Sequence, residues 1–487
     1  MESAFLLSLI LIPLVSAFGS LLFSGNSLKS FVAFSGFVGL IISVFVLIQL
    51  NSSSDSSAFQ YSISYLPSLG QSLSLGLNGI SATLVFLSAL LSFVVLFGVI
   101  GNDKSVSKGM VFNVLLLESF LVGVFSAQDL ISFYIFWEAT LIPMYFLIGI
   151  WGGSDRAKAN LVFFIFTMVG SLFLLVGIIF LGLEGARIAA DPTKLFISDF
   201  KTLSSLLTNQ LLPSYIFWFI FAGFGIKAAI FPLHAWLPKT YTEAPFAALI
   251  LLSGAMAKMG TYGMIIFGFY FLKPALTENA ALLGFLAAVG IIYAAWIAST
   301  KKSIKEIIAF SSMSHMGFII LGVVAGTFQS VSGASIQMLN HGISTGGLFL
   351  LLYFLSNRTE NIDKLSGVAN SSPVLATAFI VTALSSIGLP GLNGFIGEFQ
   401  ILLGSFRSYN IPVFITAFAT LGVVLAAVYM LLPVKKLFFG NSEPGISDLS
   451  VKEIAAVLPL IVLMVWIGVA PGSFLDLTQT TVEFLLR

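Results

Sequence analysis

Cysteine is absent from the 487 residues of the chain, and charged side chains are scarce. Without cysteine, the chain itself cannot hold thiolate-ligated iron–sulfur clusters, thioether-attached haem or disulfides. Charged residues make up 9% of the sequence and hydrophobic residues 58%, whereas a soluble domain carries about 25% charged residues. So few charges cannot cover a soluble surface. The composition therefore predicts an integral membrane protein whose main solvent is lipid.

Two sequence signals of other protein classes are also missing. No basic region precedes the first apolar run, which follows Met1-Glu2-Ser3 directly, so we expect this segment to be retained and not cleaved as a signal peptide. The phosphate-binding pattern Gly-x-x-x-x-Gly-Lys-Ser/Thr does not occur. A net charge of +1 gives no indication of a nucleic-acid partner. The sequence therefore gives no sign of nucleotide hydrolysis by a phosphate-binding loop or of nucleic-acid binding.

Apolar segments of about 20 residues, the length that crosses a bilayer, recur along the whole chain. They predict an all-α, polytopic transmembrane helix bundle of about 14 spans, at residues 4–23, 30–50, 77–100, 109–127, 129–151, 160–183, 214–237, 244–272, 279–298, 304–325, 329–356, 372–404, 410–433 and 452–471. Between the second and third spans, the serine-rich stretch 51–57 precedes an alternating polar and apolar run. That run, Gln60–Leu66, predicts a short strand in a surface loop.

Lysine and arginine are distributed unequally between the loops on the two sides of the predicted bundle. One side holds Lys29, Lys104, Lys108, Arg156, Lys158, Lys239, Lys301, Lys302, Lys305, Arg358, Lys364, Lys435, Lys436 and Lys452. The side of the two termini holds Arg187, Lys194, Lys201, Lys273, Arg407 and Arg487. Because basic loops stay in the cytoplasm, we expect both termini on the outer side. The expected location is a bacterial cytoplasmic (inner) membrane, with an organellar inner membrane as the less favoured alternative.

Ionisable residues lie near the middles of several predicted spans, at a similar depth. They are Glu118, Glu138, Lys227, Lys258, His315 and His341, with Glu398 displaced towards the predicted outer face. A charge at a helix centre costs about 2.5–3.5 kcal/mol. Singly, these residues also fit structural roles, such as packed histidines or a structural Glu138–Lys227 ion pair. Their common depth favours a polar axis parallel to the membrane plane, along which protons move.

Proline interrupts two of the ionisable spans. Pro232 lies within residues 225–234, and Pro390 lies within residues 386–398, so both helices should break at membrane depth. The two spans are the seventh and the twelfth, which predicts inverted repeats formed by spans 4–8 and 9–13. The expected organisation is an N-terminal three-helix region, two inverted five-helix repeats, and a C-terminal span with its tail, at residues 1–108, 109–272, 279–433 and 434–487.

Three segments carry a family resemblance. Phe136-Trp137-Glu138-Ala139-Thr140-Leu141-Ile142-Pro143-Met144-Tyr145, His234-Ala235-Trp236-Leu237-Pro238 and Gly254-Ala255-Met256-Ala257-Lys258-Met259-Gly260 resemble the antiporter-like membrane subunits of respiratory complex I, the NADH:quinone oxidoreductase. Within that family the chain resembles the chain M type, also called the subunit 4 type. This type has a glutamate in the twelfth span, as in Gly397-Glu398-Phe399, where the L and N types have lysine.

The resemblance implies a role in proton translocation for each mid-membrane residue. Glu138 and Lys227 resemble the family's glutamate–lysine pair, and Lys258 resembles its central proton carrier. His315 and His341 resemble the relay histidines, and Glu398 the residue that passes protons to the outer half-channel. Glu118, Asp129 and His234 are secondary candidates. If Glu138 is drawn away or neutralised, Lys227 loses its counter-charge and releases a proton towards Lys258, with waters filling the gaps.

The resemblance also implies partners and cofactors outside this chain. The partners are other membrane-arm subunits of complex I, including the L-type and N-type antiporter-like chains, together with the lipid bilayer. FMN, iron–sulfur clusters, NADH and quinone are expected in the partner subunits, and no cofactor or metal is expected in this chain. The chain would then be a non-redox, proton-pumping translocase subunit, driven by redox chemistry elsewhere.

Three alternatives remain open from the sequence. The first is an Mrp-type cation/proton antiporter subunit, a class related to the same family, against which Glu398 argues. The second is a passive spacer in a membrane arm, which would not need charges at mid-membrane depth. The third is haem binding by the two histidines on neighbouring spans, which would give a visible Soret band.

Overall fold

The structure, a computed structural model, describes residues 2–52, 59–66, 71–103, 106–190, 195–207, 210–359, 361–440 and 445–487. Residues 53–57 of the serine-rich stretch lie outside this described part, as do the loop lysines Lys104 and Lys194. Apart from one two-stranded sheet, the described secondary structure is helical.

Up to the eighth predicted span, the elements are helices and one β-hairpin, which lies between the second and third helices. They are α1 (Glu2–Ser20), α2 (Gly25–Ser52), β1 (Gln60–Leu66), β2 (Gln71–Gly76), α3 (Gly79–Val94), α4 (Lys108–Ser126), α5 (Leu130–Ala139), α6 (Leu141–Trp151), α7 (Arg156–Ala189), α8 (Phe200–Leu207), α9 (Ser214–Lys227), α10 (Leu237–Glu243), α11 (Phe246–Leu251) and α12 (Lys258–Tyr270). A π-helical turn, Leu252–Met256, joins α11 to α12.

In the second part of the chain, all described secondary-structure elements are helices. Its helices are α13 (Lys273–Thr300), α14 (Ile304–Ala325), α15 (Phe328–Ser356), α16 (Val368–Ser371), α17 (Pro373–Ser386), α18 (Asn393–Phe406), α19 (Val413–Phe438), α20 (Val451–Val469) and α21 (Gly472–Leu486).

Twelve helical segments in the described residues are long and apolar enough to cross a membrane. Two shorter apolar helices, α9 and α17, begin the spans in which proline predicted a break. Each of the fourteen predicted segments therefore coincides with a helix or a broken helix. The prediction of a polytopic helical bundle is confirmed, whereas the number of crossings and the inverted repeats remain predictions.

The predicted strand is β1, and it is confirmed. It pairs with β2 in an antiparallel hairpin, with Gln60 opposite Gly76 and Ile63 opposite Leu73. The sequence analysis did not predict β2, although Gln71–Gly76 also alternates polar and apolar residues.

Burial separates inner helices from outer ones. The most apolar stretches of α14 and of the span Phe246–Tyr270 are 100% buried, and that of α15 is 94% buried. By contrast, the corresponding stretch of α7 is only 39% buried, and its exposed residues are apolar, as lipid contact requires. The three inner helices are those that carry Lys258, His315 and His341, so these residues lie at the centre of the bundle.

Candidate functional site

Lys258 begins α12, two residues after the last residue of the π-helical turn, and its side chain is fully buried. Its Nζ donates a hydrogen bond to the backbone carbonyl of Ser253 within that turn, at 2.6 Å. A π-helical turn shifts backbone hydrogen bonds from i−4 to i−5, as in the 3.0 Å bond from the amide of Ala257 to the carbonyl of Leu252. The irregular backbone therefore supplies an oxygen to a buried ammonium group.

His341 on α15 is the side-chain partner of Lys258. Nζ of Lys258 lies 2.6 Å from Nδ1 of His341, and His341 is buried. Two glycines allow the helices to approach this closely: a Cβ added to Gly342 would lie 2.8 Å from the carbonyl oxygen of Gly254. A larger residue at either position would force the helices apart and lengthen the contact between lysine and histidine.

His315 on α14 connects this pair to Glu398 on α18. The rings of His341 and His315 are 5.5 Å apart between centroids. Nδ1 of His315 donates to Oε1 of Glu398 at 2.7 Å, with both side chains almost completely buried. Gln337 donates from Nε2 to the same oxygen at 3.3 Å. Lys258, His341, His315 and Glu398 thus form one continuous series, which we call the buried row.

The break between α17 and α18 wraps around the carboxylate of Glu398. Gly388 in this break has a φ of +75°, and a Cβ there would lie 2.7 Å from Oε2 of Glu398. The break is held by reciprocal amide bonds: Asn340 donates to the carbonyl of Asn393 at 2.7 Å, and Asn393 donates to the carbonyl of Asn340 at 3.2 Å. Ser385 donates to the side-chain oxygen of Asn393. The proline-linked break predicted at Pro390 therefore positions Glu398 against His315.

The break between α9 and α10 ends a helix at Lys227. Trp236 closes the interruption by donating from Nε1 to the carbonyl of Ile226 at 2.8 Å. Lys227 is the last residue of α9, where the negative end of the helix dipole stabilises a cation. Its Nζ also lies 5.4 Å from the centroid of the Trp137 ring, within the range of a cation–π interaction.

Glu138 and Lys227, which the resemblance assigns to one pair, make no direct contact in the structure. In the described part of the chain, Nζ of Lys227 has no hydrogen-bond partner, although the side chain is buried. Glu138 instead accepts a hydrogen bond from the hydroxyl of Tyr134 at 2.8 Å. The two charges still interact through space, with the ring of Trp137 beside Lys227. Tyr134 and Trp137 lie on the same helix as Glu138, so α5 supplies the aromatic contacts of both Glu138 and Lys227.

The three secondary candidates lie outside the buried row. Glu118 is buried on α4, and within the described residues its Oε2 has no hydrogen-bond partner. Asp129 caps α5 by accepting from the amide of Ser132 at 2.8 Å, and it holds the hairpin by accepting from the amide of Ser74 at 2.9 Å. This geometry indicates a structural role for Asp129.

His234, the third secondary candidate, lies in the break after α9. Its ring stacks on Phe231, with centroids 5.5 Å apart, and packs edge-on against Tyr293 at 5.1 Å. Its Nδ1 has no partner among the described residues. Among the described residues it makes no hydrogen bond to Lys227, so His234 is not joined to the buried row.

Several contacting groups were not found from the sequence. Tyr134 stands four residues before Glu138, a helical spacing that could have indicated it. The interruption between α5 and α6 could have been inferred from Pro143, whose missing amide cannot bond to the carbonyl of Ala139. The carbonyl of Ser253 and the amide of Gln337 gave no sequence signal, because their contacts depend on a π-helical turn and on helix packing.

The site combines groups that can accept and donate protons. An ammonium, two imidazoles and a carboxylate follow one another in the interior of the bundle, and imidazole can both accept and donate a proton near neutral pH. Across the ranges that the structure describes, no group of three or more histidine, aspartate or glutamate residues is arranged to hold a metal ion. The arrangement can therefore move protons along α12, α15, α14 and α18.

Comparison with known proteins gives a consistent result. The family described as NADH:quinone oxidoreductase/Mrp antiporter, TM, matches residues 127–426. The chain is 36% identical over 494 residues to the NADH-quinone oxidoreductase subunit M of Rickettsia typhi (strain ATCC VR-144 / Wilmington), covering 98% of this chain and 97% of that protein.

Two solved structures have similar folds. A chain of respiratory complex I from Thermus thermophilus with bound NADH superposes with a TM-score of 0.88 at 30% identity, covering 99% of this chain and 100% of that one. A chain of the Mrp complex from Dietzia sp. DQ12-45-1b has a TM-score of 0.87 at 19% identity, covering 100% of this chain and 98% of that one, a likeness of fold alone.

Proposed function

The chain belongs to the NADH:quinone oxidoreductase/Mrp antiporter family of membrane subunits, and from this we propose that it translocates protons through its buried row. Its similarity to subunit M extends over nearly the whole of both chains. The chain is accordingly an antiporter-like membrane subunit of the complex I type. Proton pumping by this chain, and the role of each residue in it, form the proposal.

The contact geometry of the buried row supports the proposal most strongly. Lys258 lies 2.6 Å from His341, the two histidine rings lie 5.5 Å apart, and His315 lies 2.7 Å from Glu398. Two of these three steps are direct contacts, and the third joins two neighbouring imidazole rings. A structural role would not require four ionisable groups in series, because burying each of them opposes insertion and folding.

Glu138 and Lys227 serve as the switch that delivers a proton to the buried row. Lys227 is buried without a hydrogen-bonded counter-charge, so its charge depends on the helix end, on Trp137 and on the distant field of Glu138. Movement or neutralisation of Glu138 weakens that support and favours release of the lysine proton towards Lys258. Waters carry the proton between the two lysines.

The energy for translocation comes from partner subunits. Moving one charge against 100 mV costs about 2.3 kcal/mol, and we expect no redox centre in this chain. NADH oxidation and quinone reduction, with FMN and iron–sulfur clusters, take place in those partners, and the L-type and N-type chains are its neighbours in the membrane arm. The bacterial cytoplasmic membrane, with both termini outside, is the proposed setting.

Replacement of Lys258 tests the proposal. Lys258→Ala, and Lys258→Met as a variant of similar length without charge, should abolish proton pumping in inverted membrane vesicles driven by NADH, while the complex still assembles. Lys273→Ala is the matched control, since Lys273 binds the carbonyl of Leu486 far from the row and its loss should leave pumping unchanged. Full pumping by both Lys258 variants would instead favour the passive spacer.

An Mrp-type cation/proton antiporter is the second candidate, because the same family and fold include one. Sodium-driven proton exchange by the chain in vesicles without NADH or quinone would support it. Proton pumping that requires NADH oxidation, with no sodium dependence, would exclude it.

A further inference from the structure

Tyr429 on α19 faces the nitrogen of His315 that Glu398 does not use. Its hydroxyl lies 3.5 Å from Nε2 of His315 and 3.0 Å from the hydroxyl of Ser311. Ser311 is one helical turn before His315 on α14, and Tyr429, Ser311 and His315 are all buried. His315 therefore has a polar partner at each ring nitrogen, Glu398 at Nδ1 and Tyr429 at Nε2.

We infer that Tyr429, supported by Ser311, is a positioning residue for His315 that accommodates both protonation states of the imidazole. This inference rests on the proposed function of the buried row. A hydroxyl can accept and donate, so Tyr429 is suited to this position in a way that a purely donating or purely accepting group is not.

The two states of His315 require opposite hydrogen bonds at Nε2. In the neutral ring with its proton on Nδ1, towards Glu398, Nε2 accepts from the hydroxyl of Tyr429. In the protonated ring Nε2 donates, so the hydroxyl of Tyr429 turns and donates to Ser311. Neither change requires the ring to move away from Glu398. Without the hydroxyl, the protonated ring would have a buried N–H without an acceptor, which disfavours that state.

Around His315, few other groups could stabilise both protonation states of the imidazole. Glu398 on α18 is the carboxylate within salt-bridge distance of it among the described residues. His341 on α15 faces it across 5.5 Å, and Lys258 on α12 acts on it through His341. From α13, the carbonyl of Ile291 accepts from the neighbouring Ser314. Tyr429 is thus the polar group that faces Nε2.

The pH profile of pumping tests the inference. NADH-driven proton translocation is measured between about pH 6 and 9 in inverted vesicles of Tyr429→Phe, Ser311→Ala and the unchanged complex. In Tyr429→Phe the alkaline limb of the pumping-versus-pH profile should shift by about one pH unit to lower pH. This shift corresponds to a roughly tenfold weaker affinity of the imidazole for its proton. The shift in Ser311→Ala should have the same direction and be smaller, because Tyr429 remains.

Tyr262→Phe is the matched control, since this buried tyrosine donates to the carbonyl of Phe125 at 3.0 Å, away from His315. It should show no shift. An unshifted profile in Tyr429→Phe would overturn the inference, and if that variant failed to assemble, an unshifted Ser311→Ala would do so. His315→Ala distinguishes failure of the proposed function from failure of this inference. Normal pumping by His315→Ala would refute proton transfer through the buried row. Lost pumping by His315→Ala, together with an unshifted pH profile in Tyr429→Phe, would refute only the role of Tyr429.

Discussion

The two ionisable regions of the bundle use similar residues in opposite arrangements. Glu138 and Lys227 carry opposite charges but make no direct contact, and each is held by an aromatic side chain. In the buried row, by contrast, Lys258 contacts His341 and His315 contacts Glu398, and a carbonyl or amide supports both ends. Charges held apart can change their separation with a small movement, whereas groups in contact can pass a proton without one.

The local backbone explains this difference. Lys227 ends a helix whose terminus supplies partial negative charge, so the lysine can be buried without a paired carboxylate. Lys258 and Glu398 lie beside irregular backbone, a π-helical turn and a glycine-containing break, and their side chains contact His341 and His315. We therefore assign the first region to switching and the second to conduction, and the predictions below separate these roles.

The largest effect is expected from Glu398→Gln, which removes the charge at the end of the row but keeps an oxygen that can accept from His315. Proton pumping should fall at least about tenfold, since a loss of only about 1.4 kcal/mol produces that factor. Glu398→Lys should retain part of the activity, because the related L and N types have lysine there. Pumping and NADH:quinone turnover are measured in vesicles after assembly is confirmed.

The control for Glu398 is Glu278→Gln, which neutralises an exposed carboxylate on α13 and should pump normally. If Glu398→Ala pumped at the full rate, Glu398 would be a packing residue and the row would end at His315.

A smaller but clear loss is expected from Glu138→Gln. Glutamine can still accept the hydrogen bond of Tyr134, so the variant isolates the negative charge that acts on Lys227 from a distance. Coupled pumping should fall several-fold, as a change of about 1 kcal/mol predicts, while assembly survives. Glu138→Asp keeps the charge and should be milder.

Tyr134→Phe completes this comparison, because it removes the hydrogen bond and leaves the carboxylate charged. Its pumping should stay close to normal. The switching role would be refuted by a Glu138→Gln variant that pumps normally, and a Tyr134→Phe variant as defective as Glu138→Gln would show that the hydrogen bond matters more than the charge.

The smallest effect on activity is expected from single introduced cysteines that report the orientation of the chain in the membrane. Lys302 and Arg407 are both exposed but lie on opposite predicted sides of the membrane. In this cysteine-free chain, Lys302→Cys should resist an impermeant thiol reagent in intact cells, and Arg407→Cys should react. The reverse labelling pattern would show that the predicted topology is inverted, and the expected direction of proton flow through both regions would then be reversed as well. Either variant should pump normally.

Much of the fold could be predicted because hydrophobic length and proline position are local properties. The fourteen apolar segments coincide with helices, and the breaks near Pro232 and Pro390 occur where the sequence indicates them. The interruption after α5 and the strand β2 were missed although each had a local signal. The π-helical turn before Lys258 was missed because π-helical backbone depends on the packing of neighbouring helices.

The candidate residues of the site could also be identified, but not their contacts. The depth of each ionisable residue follows from its place along an apolar segment, so a polar axis through the bundle could be predicted. The order Lys258, His341, His315 and Glu398 required the structure, because it depends on which helices are neighbours. The same is true of Glu138, whose carboxylate accepts a hydrogen bond from Tyr134 and not from Lys227.

The sequence alone determined that this protein lies in a membrane and which ionisable residues stand near the middles of its apolar segments. Those properties follow from composition and from the free-energy cost of charge in lipid, which act on each segment separately. Only the tertiary structure decided which charges meet, since a contact of 2.6 Å depends on glycines that let two helices approach and on backbone that departs from the regular helix. Helix packing is a property of the whole bundle, and no single segment encodes it.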